Sequence, residues 1–480
     1  MKHHVAAGDP ATAQAARSLL EAGGNAFDAA VAAMFTAMVA EPTLTSAGGG
    51  GSLMACPAQG VPMCFDFFVD MPSGQPEGPL DFEGVWADFG TTRQEFHVGL
   101  GAVAVPGNIA GLLHVHERLG CTSCRDVLAP AIQAAREGVP ISSQQAYVIG
   151  LLEPILTREP AAAALFASKG KMLGEGDKMR MPEFADFLDA LADVGSNLFY
   201  HELAEQVTEP FREGGLLRAS DLRGYTVHER EPLVVDYKKH TVLLNPPPAA
   251  SGSLMAFTLA LLDSVEEVDP ETLVRAFAFT NAFREDPQPD WAGSFLAGEW
   301  PVAGRPEPVT RGSTTHVSVL DRDGNAASTT TTNGEGCGHL VTGCGFMLNN
   351  MLGEEDLSPD GFHRHVPGTR LATMMAPSIA LRDGRPELVV GSGGSNRIRS
   401  AVLQVLVNRL AHGQSLAEAV DAPRLHLEGE TLHAEPGATL AGNFEMEPWP
   451  EQNVFFGGAH SVAPGEAVGD TRRNGSTEVF

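Results

Sequence analysis

The sequence predicts a mixed fold of helices and sheet, with strands in both halves of the chain. Three observations carry that expectation. Hydrophobic residues make up 43% and charged residues 19% of the 480 positions, a globular composition with no disordered bias. Residues 11–22 and Ala26–Val39 carry apolar positions at helical spacing. The stretch from Ser313 to Thr332 reads as a hairpin: His316-Val317-Ser318-Val319 alternates in strand rhythm, Asp323-Gly324 marks a turn, and Ala326–Thr332 is rich in β-branched threonine. The length suits one large domain or two to three ordinary ones.

Taken in order, the first helix stops at Gly23-Gly24, a C-terminal signal, and Ala26–Val39 is apolar enough to be a buried helix. Ser52–Cys56 and Met63–Val69 read as short strands. About 106–225 is mostly helical, with Pro and Gly punctuation. Strands return over Val227–Leu244, including Leu233-Val234-Val235-Asp236-Tyr237, and Asn245-Pro246-Pro247-Pro248 leads into a helix near Ser253–Leu262. Residues 286–312 hold many Pro, Gly and charged residues and read as an exposed linker. The chain is then β-rich to Leu348, and helices are expected at Ser400–Leu410 and Leu416–Ala422. No internal repeat is evident.

Charge and cysteine content narrow the function classes. A net charge of −28 argues against nucleic acid and against anionic membrane surfaces as partners. The apolar run Ala29–Ala40 falls short of the ~20 residues that span a bilayer. With no secretory segment at Met1-Lys2-His3-His4-Val5, the expectation is a soluble, cytoplasmic protein. The six cysteines, at 56, 64, 121, 124, 337 and 344, fit no disulfide framework. Cys121 and Cys124 form a lone CxxC at a helix entrance, Arg125–Gly138, so neither redox nor zinc chemistry is inferred. Cys337 and Cys344 flank the loop after the hairpin, where they could border a pocket. His363 and His365 have metal-like residue types but no acidic or cysteine partner at diagnostic spacing.

Thr314 begins a strand deep inside the chain. A self-cleaving hydrolase places its nucleophile at such a position, because cleavage turns the threonine into a new N-terminus. Its hydroxyl can then attack with its own α-amino group as base. A free α-amino group has a pKa of about 7.7–8.0, whereas an internal amide nitrogen has no basicity to offer.

Several separated motifs resemble the γ-glutamyltranspeptidase family. These are Thr314-Thr315-His316 with its strand, turn and threonine strand; Gly345-Phe346-Met347-Leu348-Asn349-Asn350 followed by Glu354, Glu355 and Asp356; Met375-Ala376-Pro377-Ser378; Gly391-Ser392-Gly393-Gly394-Ser395; and Ala422-Pro423-Arg424. Gly23-Gly24-Asn25-Ala26-Phe27-Asp28 and Gly48–Gly51 match the family's opening. The matches run in family order from Gly23 to Arg424. The resemblance implies an α+β fold, the αββα sandwich of N-terminal nucleophile hydrolases. It also implies self-cleavage into a large part, 1–313, and a small part, 314–480, that associate as one interleaved domain. It implies acyl transfer from a small-molecule amide or peptide, with neither metal nor organic cofactor.

Carried over residue by residue, the nucleophile is Thr314, with Thr315 as the competing choice if the scissile bond lies one residue later. Thr332 takes the place of a threonine whose hydroxyl bonds the nucleophile, although four consecutive threonines leave its register open. Asn333 stands near a pocket asparagine. The oxyanion donors are Gly394 and Ser395 in one register, Gly393 and Gly394 in the other; glycine lets a backbone N–H approach closely. Glu354 occupies the position of an acidic residue that holds the substrate amine, with a solvated acidic turn as the alternative. Thr373 corresponds to the first of two serines that bind a substrate carboxylate, and Met374 stands at the second. Phe68 replaces the family's carboxylate-gripping arginine. The two departures remove charge-assisted bonds worth about 1.5–3 kcal/mol each, so the sequence points to γ-glutamyl or related amides with a weakened carboxylate anchor. The alternatives are a non-glutamyl substrate in secondary metabolism or a homologue that binds without catalysing.

Overall fold

The computed structural model describes residues 2–88, 93–285, 291–301, 313–358, 360–438 and 444–480. Two antiparallel sheets form its centre. The seven-stranded sheet runs, edge to edge, through His228–Arg230, Met63–Phe67, Gly50–Cys56, Ala326–Thr332, Thr315–Leu320, His4–Ala7 and Ser476–Val479. The six-stranded sheet runs through Leu233–Tyr237, His240–Leu244, Ser378–Arg382, Arg385–Gly393, Gly458–Ala463 and Glu466–Val468. Both sheets contain strands from before and after residue 314, so the two parts of the chain share one core.

Each sheet carries helices on its outer face, giving four layers. Helix Ala26–Ala40 lies on the hairpin strands and is buried along its whole length. A capping box fixes its start: the Asn25 side chain accepts from the backbone N–H groups of Phe27 and Asp28, and Asp28 accepts from the backbone of Asn25. Helices Ala250–Asp263 and Arg397–Leu410 cover the other sheet. Leu320, Met54, Ile379, Val389 and Val462 pack between the sheets, and burying such a side chain stabilises by about 1.5–3 kcal/mol.

The hairpin forms as its sequence predicts. The Asp321 carboxylate accepts from the backbone of Asp323 and Asn325 and from the Asn325 side chain, closing the turn, while Gly324 supplies φ +94°. The same carboxylate accepts from Ala26 N–H at 3.0 Å, which ties the turn to the start of the buried helix. Period-two alternation sorts the side chains. Val317 and Val319 face the helix layer, and His316, Ser318 and Leu320 face the second sheet.

Several element boundaries differ from the sequence reading. The strand expected over Met63–Val69 stops at Phe67, and Phe68 and Val69 turn out of the sheet. The helix expected near Ser253–Leu262 spans Ala250–Asp263, and that expected at Ser400–Leu410 begins at Arg397. Strand structure ends at Thr332, and turns and isolated bridges carry the chain to Leu348. The expected linker at 286–312 lies outside the described residues except for 291–301, where Trp291–Leu296 is helical. Among the described residues, no helix is long and apolar enough to cross a membrane.

Candidate active site

Thr314 sits at the mouth of strand Thr315–Leu320, buried at the end of the hairpin. The partner strand brings Thr332 opposite, and its hydroxyl donates to the Ser313 carbonyl oxygen. The structure thereby resolves the run of four threonines. Thr330 bonds His316 Nδ1 at 2.8 Å, Thr331 lies 2.8 Å from the Thr45 hydroxyl and donates to Met34 sulfur, and only Thr332 reaches the Ser313–Thr314 bond. Thr315 points to the opposite face, where its hydroxyl donates to buried Glu41 at 2.9 Å. Of the two candidate nucleophiles, Thr314 alone borders a cavity that also holds substrate-binding candidates.

The glycine segment approaches from the second sheet. A Cβ on Gly393 would lie 2.1 Å from the Thr314 carbonyl oxygen, so no other residue fits without displacing the threonine. Gly394 has φ +127° and Ser395 φ +51°, a left-handed bend that leads into helix Arg397–Leu410. The positive end of that helix dipole thus lies near Thr314, where negative charge would develop. Ser395 donates its hydroxyl to Asp356, so its side chain is occupied.

Two cavities flank the Ser313–Thr314 bond. The first, about 30 Å³, is lined by Phe68, Thr314, Thr332, Met351, Glu354, Asp356, Leu357, Thr373, Met374 and Ser395, with Met375 and Ile398 at its wall. It gathers seven of the sequence candidates. Thr373 accepts from Met375 N–H at 3.1 Å, leaving its hydroxyl proton to donate. Burial, with Glu335 and Asp356 adding repulsion, holds the Glu354 carboxyl well above the usual range and favours its neutral form. Asn333 is not on this wall: it accepts from Ser46 at 2.9 Å and is buried in the loop above it. The second cavity, about 520 Å³, opens on the Ser313 side and is bordered by Glu335, Arg473, Arg397, Tyr147, Trp449 and Phe455, among others.

An arginine does stand behind Phe68, but it is committed. Arg370 donates to Asp66 at 2.8 Å and to Asp70 at 2.6 Å, donates also to the backbone of Asp66 and Thr226, and stacks over Tyr225. It braces the loop that presents Phe68. Burial pushes the Cys337 and Cys344 thiols up to about 12, and neither borders either cavity. His363 and His365 fasten loops by bonding the Gly101 and Leu357 carbonyl oxygens, at 2.9 and 2.7 Å. Among the described residues, no group of three His, Cys, Asp or Glu side chains could hold a metal ion. Ala422-Pro423-Arg424 proves to be a brace: Arg424 pairs with Asp470 at 2.5 Å beneath the C-terminal loop.

Sequence reasoning missed Glu335 and Arg473, and named Asp356 only as part of the acidic run after Glu354. Glu335 had a signal, as an acidic residue between Gly334 and Gly336 beside the threonine strand. Arg473 had none, since its approach to Thr314 spans 159 positions along the chain.

Comparison with known proteins finds relatives along most of the chain. The model of a family described as gamma-glutamyltranspeptidase matches residues 12–285 and 299–475. The glutathione hydrolase proenzyme of Pseudomonas aeruginosa is 32% identical over 497 residues, covering 92% of this chain and 86% of the relative. The acylase ACY 1 proenzyme of a Pseudomonas species is 31% identical over 474 residues, covering 90% and 83%. In structure, the cephalosporin acylase from Bacillus halodurans matches with a TM-score of 0.82 at 23% identity, covering 99% of this chain and 95% of that one. The four-layered α+β fold is the sandwich of N-terminal nucleophile hydrolases.

Proposed function

Since the chain belongs to the γ-glutamyltranspeptidase family and is a hydrolase or acyltransferase of that fold, we propose that Thr314 is its nucleophile, released by cleavage of the Ser313–Thr314 bond. The observation that carries this is the clamp on that bond: Thr332 donates to the Ser313 carbonyl oxygen, while Gly393 abuts the Thr314 carbonyl. The Thr332 hydrogen bond polarises the carbonyl to be attacked. Thr314 Oγ1 adds to the Ser313 carbonyl carbon, the C–N bond breaks, and the hydroxyl proton ends on the departing nitrogen. Water then hydrolyses the ester, freeing the Ser313 carboxylate and the Thr314 α-amine.

In the processed enzyme the α-amine takes the Oγ1 proton as the hydroxyl attacks an amide carbonyl. Backbone N–H groups at Gly393–Gly394 face the developing oxyanion. The proton passes to the leaving amine, and water or a second amine resolves the acyl-enzyme. The substrate is an amide whose recognition does not rest on an arginine–carboxylate pair at position 68. A carboxylate beside Phe68 and Met374 would be buried unpaired, which disfavours simple γ-glutamyl anilides and glutathione bound on that side.

Intact-mass analysis of purified protein tests this directly. Fragments 1–313 and 314–480 are expected, with Thr314 at the new N-terminus. Full-length protein with undiminished amidase activity overturns the mechanism.

A further inference from the structure

Arg473 presents an unusual combination of burial and solitude. It is 7% exposed, yet makes no ion pair among the described residues. Among the described residues its only hydrogen bonds are long ones, 3.4 Å each, to the carbonyl oxygens of Thr314 and Val454, and its Nε has no partner. The adjacent Arg472 shows the usual arrangement, pairing with Glu435 at 2.5 Å and with Asp470 at 3.3 Å. A buried charge without a counterion is costly, and such groups are normally paired. Glu41 and Asp470 attract Arg473 from a distance without bonding it, so among the described residues its guanidinium keeps donors for one further anion.

The space for that anion is the larger cavity, which Arg473 borders. Its volume, about 520 Å³, lies within the ~300–1,000 Å³ of small-molecule sites. The smaller cavity, about 30 Å³, has room for roughly one water. Trp449 and Phe455, stacked 4.7 Å apart, and the half-exposed Tyr147 give the larger one an aromatic wall. Ser313, which contributes the acyl carbonyl of the self-cleavage step, lines this cavity, whereas Thr314 lines the smaller one. The acyl half of a substrate approaching the same hydroxyl from the same side enters here.

We infer that the Ser313-side cavity is the subsite for the acyl half of the substrate, taking an aromatic or extended apolar acid whose own carboxylate sits on Arg473 and whose body lies against Trp449. This rests on the reading of Thr314 as nucleophile only for its connection to turnover. Arg473, Trp449 and Phe455 border the cavity in the chain as described.

The test uses 4-phenylbutyrate, with the neutral 4-phenylbutyramide as its partner probe. Calorimetry is run on wild type and on uncleaved Thr314→Ala. The acid is expected to bind at least about 10-fold tighter than the amide in both proteins, the gain from a charge-assisted bond. Arg473→Gln should erase the preference, Arg473→Lys should keep part of it, and Trp449→Ala should weaken both probes alike. In steady-state assays the acid should compete with the amide donor and not with an amine acceptor. Equal binding of acid and amide, or a preference that survives Arg473→Gln, overturns the inference. Competition against the acceptor alone overturns the acyl assignment. If Thr314→Ala retains turnover, the nucleophile reading fails while the binding result stands on its own.

Discussion

The two cavities on either side of the Ser313–Thr314 bond are built on opposite plans. The smaller holds carboxyl groups and no free cation: Glu354 and Asp356 stand against Phe68, Met351 and Met374. The larger holds guanidinium groups and an aromatic wall. Family resemblance places substrate recognition in the first, yet two of its three carboxylate-binding positions, Phe68 and Met374, are apolar here, and Arg370 behind them is consumed by Asp66 and Asp70. The positive charge missing on one side of the nucleophile is present on the other. A motif match therefore locates the reacting atom more securely than it locates the substrate, because the reacting atom is fixed by backbone geometry and the substrate by side chains that vary around it.

The largest effect is expected at the bond both cavities share. Thr314→Ala should leave the chain uncleaved and lower amide turnover to background, whatever the substrate, as read by intact mass and by an anilide assay. A cleaved and active Thr314→Ala would move the nucleophile elsewhere and dissolve the comparison.

Next comes the glycine floor. A Cβ at Gly393 meets the Thr314 carbonyl oxygen at 2.1 Å, and Gly394 holds a φ that L side chains rarely adopt. Gly394→Val should slow acyl transfer by on the order of 10²–10³, the loss of one oxyanion donor. Gly393→Ala should also block cleavage. A folded, processed Gly394→Val with wild-type kcat would show that the segment is only a turn.

Phe68→Arg distinguishes the two sides. If recognition lies in the larger cavity, the substitution should change kcat/KM for γ-glutamyl anilides by less than about threefold, since a 30 Å³ space cannot take a glutamyl group. A rise of about 10- to 150-fold, the worth of one charge-assisted bond, would show that the smaller cavity opens after cleavage and binds the acyl group.

How much of this was legible in the sequence follows from distance along the chain. The hairpin, its turn and the helix Ala26–Ala40 were readable because alternation, Asp323-Gly324 and the Asn25 cap are local signals. Thr314 as the candidate nucleophile and the glycine segment beside it were singled out through ordered motifs. The four threonines were not separable, because their roles depend on which face each presents to His316, Met34 or Ser313. Asn333 was read as a pocket residue from its neighbourhood in sequence, and only the fold shows its side chain committed to Ser46. Arg473 and Trp449 belong to the C-terminal stretch that no motif covered, and the pairing of Gly458–Ala463 with Arg385–Gly393 and of Ser476–Val479 with His4–Ala7 brings that stretch beside Thr314.

The smallest effect is expected at Glu335, which borders the larger cavity and faces the carboxyls of the smaller. Burial pushes its carboxyl up to about 8, against the hydrogen bond from Asn350, and Asp356 adds to the rise. In the unfolded chain the group titrates near 4.3. Between those values the folded protein holds a proton that the unfolded chain has lost, so stability falls as pH rises through this window and levels off above about pH 8. Glu335→Gln keeps the shape and stays neutral at every pH. Relative to wild type its melting temperature should gain least near pH 4 and most near pH 8.5, a widening of about 1–2 °C or more for each kcal/mol of relieved charge burial. A difference that stays flat across that range would mean that Glu335 is already ionised in the fold, and would make it a fixed negative charge facing Glu354 instead of a neutral group between the two cavities.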